Sequence, residues 1–260
     1  MTTADRALSV VVPTFREADN IGPLCERLDR AFHDAGIPYE LVIVDDDSRD
    51  GVVEVVHRLA DGYPVRIVVR HGPRDLSAAV LTGIADARHD VILVMDADLQ
   101  HPPEQAPRVA QPVLDGQARI CVGSRYVGSA SRSSRWPARR RINSLVATAL
   151  ARPLTPVRDC MAGFFALHRD VVADWSRLRP MGYKILLEIL ARAPSAAVIE
   201  VPIDFATRAA GESKLTLYQQ WRYLRHLGRL YRERYPVCVA AVVLIAAGGA
   251  VALVWWRLHR

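Results

Sequence analysis

The sequence predicts an α/β fold: a mostly parallel sheet flanked by helices, then an amphipathic helix and one membrane-spanning helix at the carboxyl end. Short, continuously apolar runs alternate with helical patterns through the first half of the chain, as strands buried on both faces require. Several of these runs stop abruptly at carboxylates. From Val237 to Trp256 no residue is charged, and about 20 such residues in a helix cross the hydrocarbon layer.

The expected strands of the first half are Leu8–Pro13, Glu40–Asp45, Val65–Arg70, Val91–Asp96 and Arg119–Val122. Between them, apolar residues recur at helical spacing near Ile21–Ala35, Val52–Ala60, Ser77–Ala87 and Glu104–Leu114. Val127 to Arg141 is rich in Ser, Gly and Arg and is expected to form a mobile cationic loop. Gly163–Leu167 and Ala197–Pro202 predict two more strands, with a helix around Lys184–Arg192 between them. Leu215 to Arg234 predicts a basic amphipathic helix, with Leu217, Trp221, Leu224, Leu227 and Tyr231 on one side and Arg222, Arg225, Arg229 and Arg232 in an adjacent stripe. The expected organisation is therefore a catalytic-type α/β domain over 1–214, a membrane-surface helix over 215–235 and a transmembrane helix with a short tail over 236–260.

With 260 residues, 50% of them apolar, the chain is long enough to bury a sizeable core. The net charge of +6 points to anionic partners such as phosphates or acidic lipid. Its basic residues gather beside the expected span rather than along one groove-facing stripe, which places nucleic acid last among partners. Arginines before the span outnumber those after it (Arg257 and Arg260), so the large domain is expected on the cytoplasmic side of a cell membrane crossed once. The four cysteines, Cys25, Cys121, Cys160 and Cys238, form no C-x-x-C pair and read as buried thiols of a reducing compartment.

Three strand ends carry acids: Pro13-Thr14-Phe15-Arg16-Glu17, Asp45-Asp46-Asp47-Ser48 and Asp96-Ala97-Asp98. In a parallel sheet these ends share one rim, the edge where open α/β sheets bind ligands. Carboxylates there suit Mg²⁺ or Mn²⁺, hard cations that take one or two carboxylates together with phosphates. The expected ligand is a nucleoside diphosphate. Asp47 or Ser48 is expected to cap the following helix. His101, followed at once by Pro102-Pro103, is expected to support the site or start a helix rather than to react.

The motifs continue along the chain in a fixed order. They are Val12-Pro13-Thr14-Phe15-x-Glu17, Val44-Asp45-Asp46-Asp47-Ser48, Asp96-Ala97-Asp98-Leu99-Gln100-His101-Pro102 and Gly123-Ser124-Arg125-Tyr126. Trp136-x-x-x-Arg140-x-x-x-Ser144, Gly163-Phe164-Phe165-Ala166-Leu167, Gly182-Tyr183-Lys184-Ile185-Leu186-Leu187-Glu188 and Arg208-x-x-Gly211-x-Ser213-Lys214 follow. Over residues 8 to 235 the chain resembles the polyprenyl- (dolichyl-) phosphate mannosyltransferases of glycosyltransferase family 2, which have the Rossmann-like GT-A fold. That resemblance implies transfer of mannose, with inversion, from GDP-mannose to a polyprenyl monophosphate. It implies that Pro13, Phe15, Glu17, Val44 and Asp46 hold the guanosine, and that Asp96 and Ala97 lie along ribose and diphosphate. It implies Asp96, Asp98 and Gln100 as the metal set, and Arg208, Lys214 and Lys184 near the donor phosphates. Arg125, Arg140 and Ser144 are implied at the acceptor phosphate, with Asp98, Arg125 and Arg140 central to catalysis.

The chain departs from the family pattern at Phe15, where tyrosine is common, at Arg16 and Arg49, and over Cys160-Met161-Ala162-Gly163. An acceptor phosphate is already ionised near neutral pH, so the absence of an obvious His/Asp base pair is consistent with this chemistry. UDP-glucose as donor, and a membrane-tethered sugar-nucleotide binder without turnover, are the competing expectations.

Overall fold

Leu8 to Thr14 forms β1, buried along its whole length, and it is the strand around which the sheet is assembled. The computed structural model describes residues 6–128, 138–179, 181, 184–204, 217–238 and 240. The chain divides into two units, residues 1–215 and 216–260.

In the first unit β1 pairs in parallel with β2 (Tyr39–Asp45) on one side and β4 (Val91–Val94) on the other. β3 (Val65–Val69) extends the sheet beyond β2. β5 (Ile120–Ser124), β6 (Phe165–His168) and β7 (Val198–Pro202) complete a seven-stranded sheet of order β3-β2-β1-β4-β6-β5-β7. β6 alone runs antiparallel, to both β4 and β5. All seven expected strands are therefore present, with ends displaced by a residue or two.

Helices α1 (Ala18–Asp34), α2 (Val52–Leu59), α3 (Leu76–Asp86) and α4 (Ala106–Leu114) form where helical spacing predicts them. α1 buries Ile21, Leu24, Leu28 and Phe32 at three- and four-residue steps, and Phe32 stacks on Tyr39 with centroids 4.8 Å apart. α3 approaches the sheet so closely that a Cβ on Gly83 would lie 2.3 Å from Val11 Cγ1 and 2.9 Å from Val44 Cγ2. α6 (Ile185–Arg192) also matches expectation.

α5 (Ala138–Ala151) is a correction. The segment expected as a loop to Arg141 turns helical at Ala138, and residues 129–137 lie outside the described part. The basic residues that suggest a loop by composition are also good helix formers, and no Gly or Pro interrupts 138–151. Three cysteines are buried as expected, but Cys238 is exposed.

In the second unit, α7 (Leu217–Arg234) is helical as predicted, but its apolar residues divide between two faces. Tyr223, His226, Leu227 and Leu230 are buried, whereas Trp221 and Leu224 are 55% and 54% exposed. Leu227 turns with Tyr223 and Leu230, at steps of four and three, rather than with Trp221. Arg225 lies over the Trp221 ring at 5.6 Å. Among the described residues no helix is long and apolar enough to cross a membrane. Of the expected span from Val237 to Trp256, residues 241–256 lie outside the described part.

Candidate active site

The carboxyl ends of β1, β2 and β4 form one rim, because the three strands are parallel and in register: Thr14 pairs with Asp45, and Val11 with Val94. Four non-glycine residues there have left-handed backbone: Arg16 (φ 59°), Asp47 (52°), Arg49 (54°) and Leu99 (57°). That conformation costs an L-residue about 1–2 kcal/mol. Such strain gathers where side chains must be presented against local preference.

The acids and hydroxyls nearest the β1–β2 end have separate tasks. Asp45, 1% exposed, accepts from Thr14 Oγ1 (3.1 Å), the Ser48 N–H (2.7 Å) and the Ser48 hydroxyl. Ser48 Oγ in turn accepts from the Arg16 N–H at 2.9 Å, so the two turns are stitched together. Neither Asp47 nor Ser48 caps α2, contrary to expectation. Gly51 occupies the cap, and Asp50 accepts from the N–H groups of Val52 (3.3 Å) and Ala18 (3.1 Å). The left-handed turn at Asp47 and Arg49 moves the start of α2 past them.

Asp46 pairs with Arg70 and accepts from the Asp75 N–H at 3.0 Å. Arg74 lies over the Phe15 ring at 4.0 Å and Arg16 at 5.3 Å. Glu17 accepts from Asn20 Nδ2 at 2.5 Å. Pro13 and Val44 are buried and paired in register, and the Val44 side chain faces Gly83, so these two offer the rim backbone rather than side chain. Arg70 and Arg74 are missed by sequence reasoning; the signal for Arg70 is its place directly after a parallel strand.

Beyond β4, Ala97 is buried and Asp98 and Gln100 converge. Asp98 accepts from the Gln100 side-chain amide at 2.5 Å and from its N–H at 3.2 Å. The amide oxygen and nitrogen exchange places by a half-turn of the side-chain amide. That half-turn presents a carboxylate and an amide oxygen together, a donor set that fits a hard divalent cation. Asp96 has different neighbours. A Cβ on Gly163 would come within 2.9 Å of Asp96 Oδ2, and His101 Nδ1 lies 3.7 Å from the same oxygen. Among the described residues no group of three or more His, Cys, Asp or Glu could hold a metal by itself. Protein oxygens and ligand phosphates together make up such a site in nucleotide enzymes.

His101 is 4% exposed; burial first, and the Arg125 charge second, push its pKa down to about 3. A pKa that low favours the neutral imidazole, which lies against Phe164 with ring centroids 5.2 Å apart. Lys184 is 9% exposed, and burial lowers its pKa to about 8. Arg125 follows β5, and Asp159 receives its Nε (2.8 Å) and terminal nitrogen (2.7 Å). Asp159 is absent from the sequence expectations: a lone acid in an irregular segment carries no pattern. The backbones of Arg140 and Ser144 lie one turn apart in α5. Their side chains, together with Arg208 and Lys214, lie outside the described residues.

A mostly parallel sheet with a strained, acid-lined rim and a convergent Asp98–Gln100 pair defines an α/β protein whose candidate ligand site lies at the carboxyl ends of its strands. The pattern for glycosyl transferase family 2 matches residues 9–175, and the chain belongs to that family. Its relatives include proteins named dolichol-phosphate mannosyltransferase. A dolichol-phosphate mannosyltransferase of Pyrococcus furiosus is 42% identical over 229 residues, 86% of this chain and 64% of that one. This chain thus spans less than two thirds of the Pyrococcus relative. A second, from Mycosarcoma maydis, is 42% identical over 256 residues, covering 94% of this chain and 86% of its own. Among solved structures, mannosyl-3-phosphoglycerate synthase from Rubrobacter xylanophilus superposes with TM-score 0.67 at 18% identity, over 90% of this chain and 76% of that one. A mannosyltransferase from Pyrobaculum calidifontis, solved with GDP-mannose and Mn²⁺, gives TM-score 0.55 at 19% identity, over 95% and 80%. These two establish the shared fold.

Proposed function

We propose that this glycosyltransferase moves mannose from GDP-mannose to a polyprenyl (dolichyl-type) monophosphate, with Mg²⁺ or Mn²⁺, at the cytoplasmic face of a membrane. The convergence of Asp98 and Gln100 at a strained parallel-sheet rim carries the reading. The names of the 41–42% identical relatives support its direction.

In this reading Pro13, Phe15, Glu17, Val44 and Asp46 surround the nucleoside, and Asp96 and Ala97 run along ribose and diphosphate. Asp98 and Gln100, with Asp96 two residues before Asp98, would hold the cation, which when bound would supply positive charge beside the donor diphosphate. Lys184, Arg208 and Lys214 add positive charge around the same phosphates. Arg125, Arg140 and Ser144 bind the acceptor phosphate. An ionised phosphate oxygen is its own nucleophile, so Arg125 and Arg140 supply orientation rather than proton transfer. His101, neutral and buried, supports the Asp96 side of the site.

Arg225 and Arg232, exposed on α7 with Trp221 and Leu224, fit the headgroup layer of an anionic membrane, whereas the Arg229 side chain is 14% exposed and meets His226 and Glu233. Val237 to Trp256 provides the span, and the arginine excess before it sets the catalytic unit on the cytoplasmic side. Transfer from GDP-mannose and from UDP-glucose to polyprenyl phosphate, each with and without EDTA, tests the proposal. A chelator-sensitive mannolipid is expected. A glucolipid instead would reassign the donor, and no lipid product from either would overturn the reading.

A further inference from the structure

We infer that Glu200 and Asp159 are positioning residues that fix Arg125 for the acceptor phosphate; this rests on the reading of Arg125 above. Arg125 is the first residue after β5, and its side chain is 21% exposed. Asp159, with a side chain 1% exposed, accepts from the Arg125 N–H (3.0 Å), Nε (2.8 Å) and a terminal nitrogen (2.7 Å). A bidentate pair of this kind sets the plane of the guanidinium as well as its place. The backbone contact adds a third restraint, so the direction of the opposite edge follows from where Asp159 stands.

Asp159 belongs to no helix or strand, between α5 and β6, and Glu200 anchors its backbone. Glu200 Oε1 accepts from the Asp159 N–H at 3.0 Å, and Oε2 from the Arg158 N–H at 2.9 Å. Successive N–H groups turned to one point form an anion-binding nest, and here a side chain of the same protein fills it. Glu200 lies on β7 in register with Val122 of β5, and the same strand pair leads into Arg125. β5, the 158–159 segment and β7 therefore form a closed frame. Gly163, four residues after Asp159, packs on Asp96.

Glu200 is remote from any reacting atom, so its effect passes through Arg125. Glu200→Gln puts an amide NH₂ where an N–H donor needs an acceptor, which releases one end of the nest. A misplacement of about 1 Å costs up to about 100-fold in rate. In the full-length, membrane-reconstituted protein, Glu200→Gln is expected to lower kcat/KM for polyprenyl phosphate by about 10- to 100-fold. Its affinity for GDP, read by calorimetry, should stay within about twofold, a spread of about 0.4 kcal/mol.

The decisive comparison repeats the substitution in an Arg125→Ala background, where the acceptor effect of Glu200→Gln should vanish. The ¹⁵N resonance of the Arg125 Nε–H should be observable in the parent protein, where Asp159 accepts from it, and should broaden or be lost in Glu200→Gln. An equal loss in both backgrounds, or an unchanged Arg125 resonance, overturns the positioning role while leaving the acceptor reading intact. Arg125→Ala with unimpaired acceptor kinetics overturns the acceptor reading itself. Asp159→Asn keeps the Glu200 bonds and provides the second variant, whose acceptor defect must likewise disappear without Arg125.

Discussion

The two ends of the same sheet use their polar groups in opposite ways. At the amino end of the strands, Glu40 is 5% exposed and fully engaged. It accepts from Ser9 Oγ (2.6 Å), Arg66 Nε (2.9 Å) and the Arg88 N–H (2.6 Å), joining β1, β2, β3 and the entry to β4. Arg169 likewise donates to the carbonyls of Ile84 (3.0 Å), Ala87 and His89 (3.1 Å), closing the carboxyl end of α3. At the carboxyl end the backbone is forced left-handed at four non-glycine positions, and Asp98 meets a neutral amide. One end is closed by buried hydrogen bonds on ordinary backbone; the other carries the left-handed turns and the Asp98–Gln100 pair of the proposed site. Substitutions at the two ends should therefore separate stability from turnover.

The largest expected effect is at the rim. Asp98→Ala should lower kcat by about 100- to 1000-fold, the scale of losing electrostatic stabilisation of a developing anion. Its melting temperature should stay close to that of the parent. Restored turnover with excess Mn²⁺ would show that the pair serves the cation, whereas unchanged activity would move the site elsewhere.

The amino end should respond in the reverse sense. Glu40→Gln is expected to cost about 1–3 kcal/mol, because donors placed around a carboxylate lose their acceptor. Chemical denaturation should show this with kcat unchanged. Burial raises the Glu40 pKa, but the bonds from Arg66, Ser9 and Arg88 outweigh it and the net direction is down. Its stabilisation is therefore present above the ordinary glutamate range and lost as pH falls through the folded value. Gly83→Ala tests the close approach of α3 to the sheet, and should also cost about 1–3 kcal/mol by overpacking Val11 and Val44.

Lys184 gives a pH signature. Its pKa is lowered to about 8, so its charge is present below that value and lost above it. If it binds donor phosphate, kcat/KM for the donor should fall as pH rises through about 8, and Lys184→Arg should remove that limb. A limb that persists in Lys184→Arg would assign it to another group. The smallest effect is Arg16→Gly, which relieves a left-handed residue and should stabilise the fold by up to about 1 kcal/mol. Greater stability with weaker donor binding would show that the strain at this turn serves the ligand.

The sequence by itself determined the seven strands, the order of most helices and the three acid-bearing ends on one rim. These follow from hydrophobic period and from parallel pairing, which are local or topological properties. The pairing of Asp98 with Gln100 came from the family resemblance, and the left-handed turn at Leu99 decided that they converge. It misjudged the start of α5, the cap of α2 and the single apolar side of α7, where left-handed turns or tertiary burial override composition. The partners of Arg125, Asp46 and Phe15 were decided by tertiary structure alone. Asp159, Arg70 and Arg74 are distant in sequence from what they touch, and no periodicity encodes a contact between separate loops. Glu200 shows the same thing most clearly: on its strand it is one polar residue among apolar ones, and only pairing with β5 brings its carboxylate to the backbone of Asp159, the partner of Arg125.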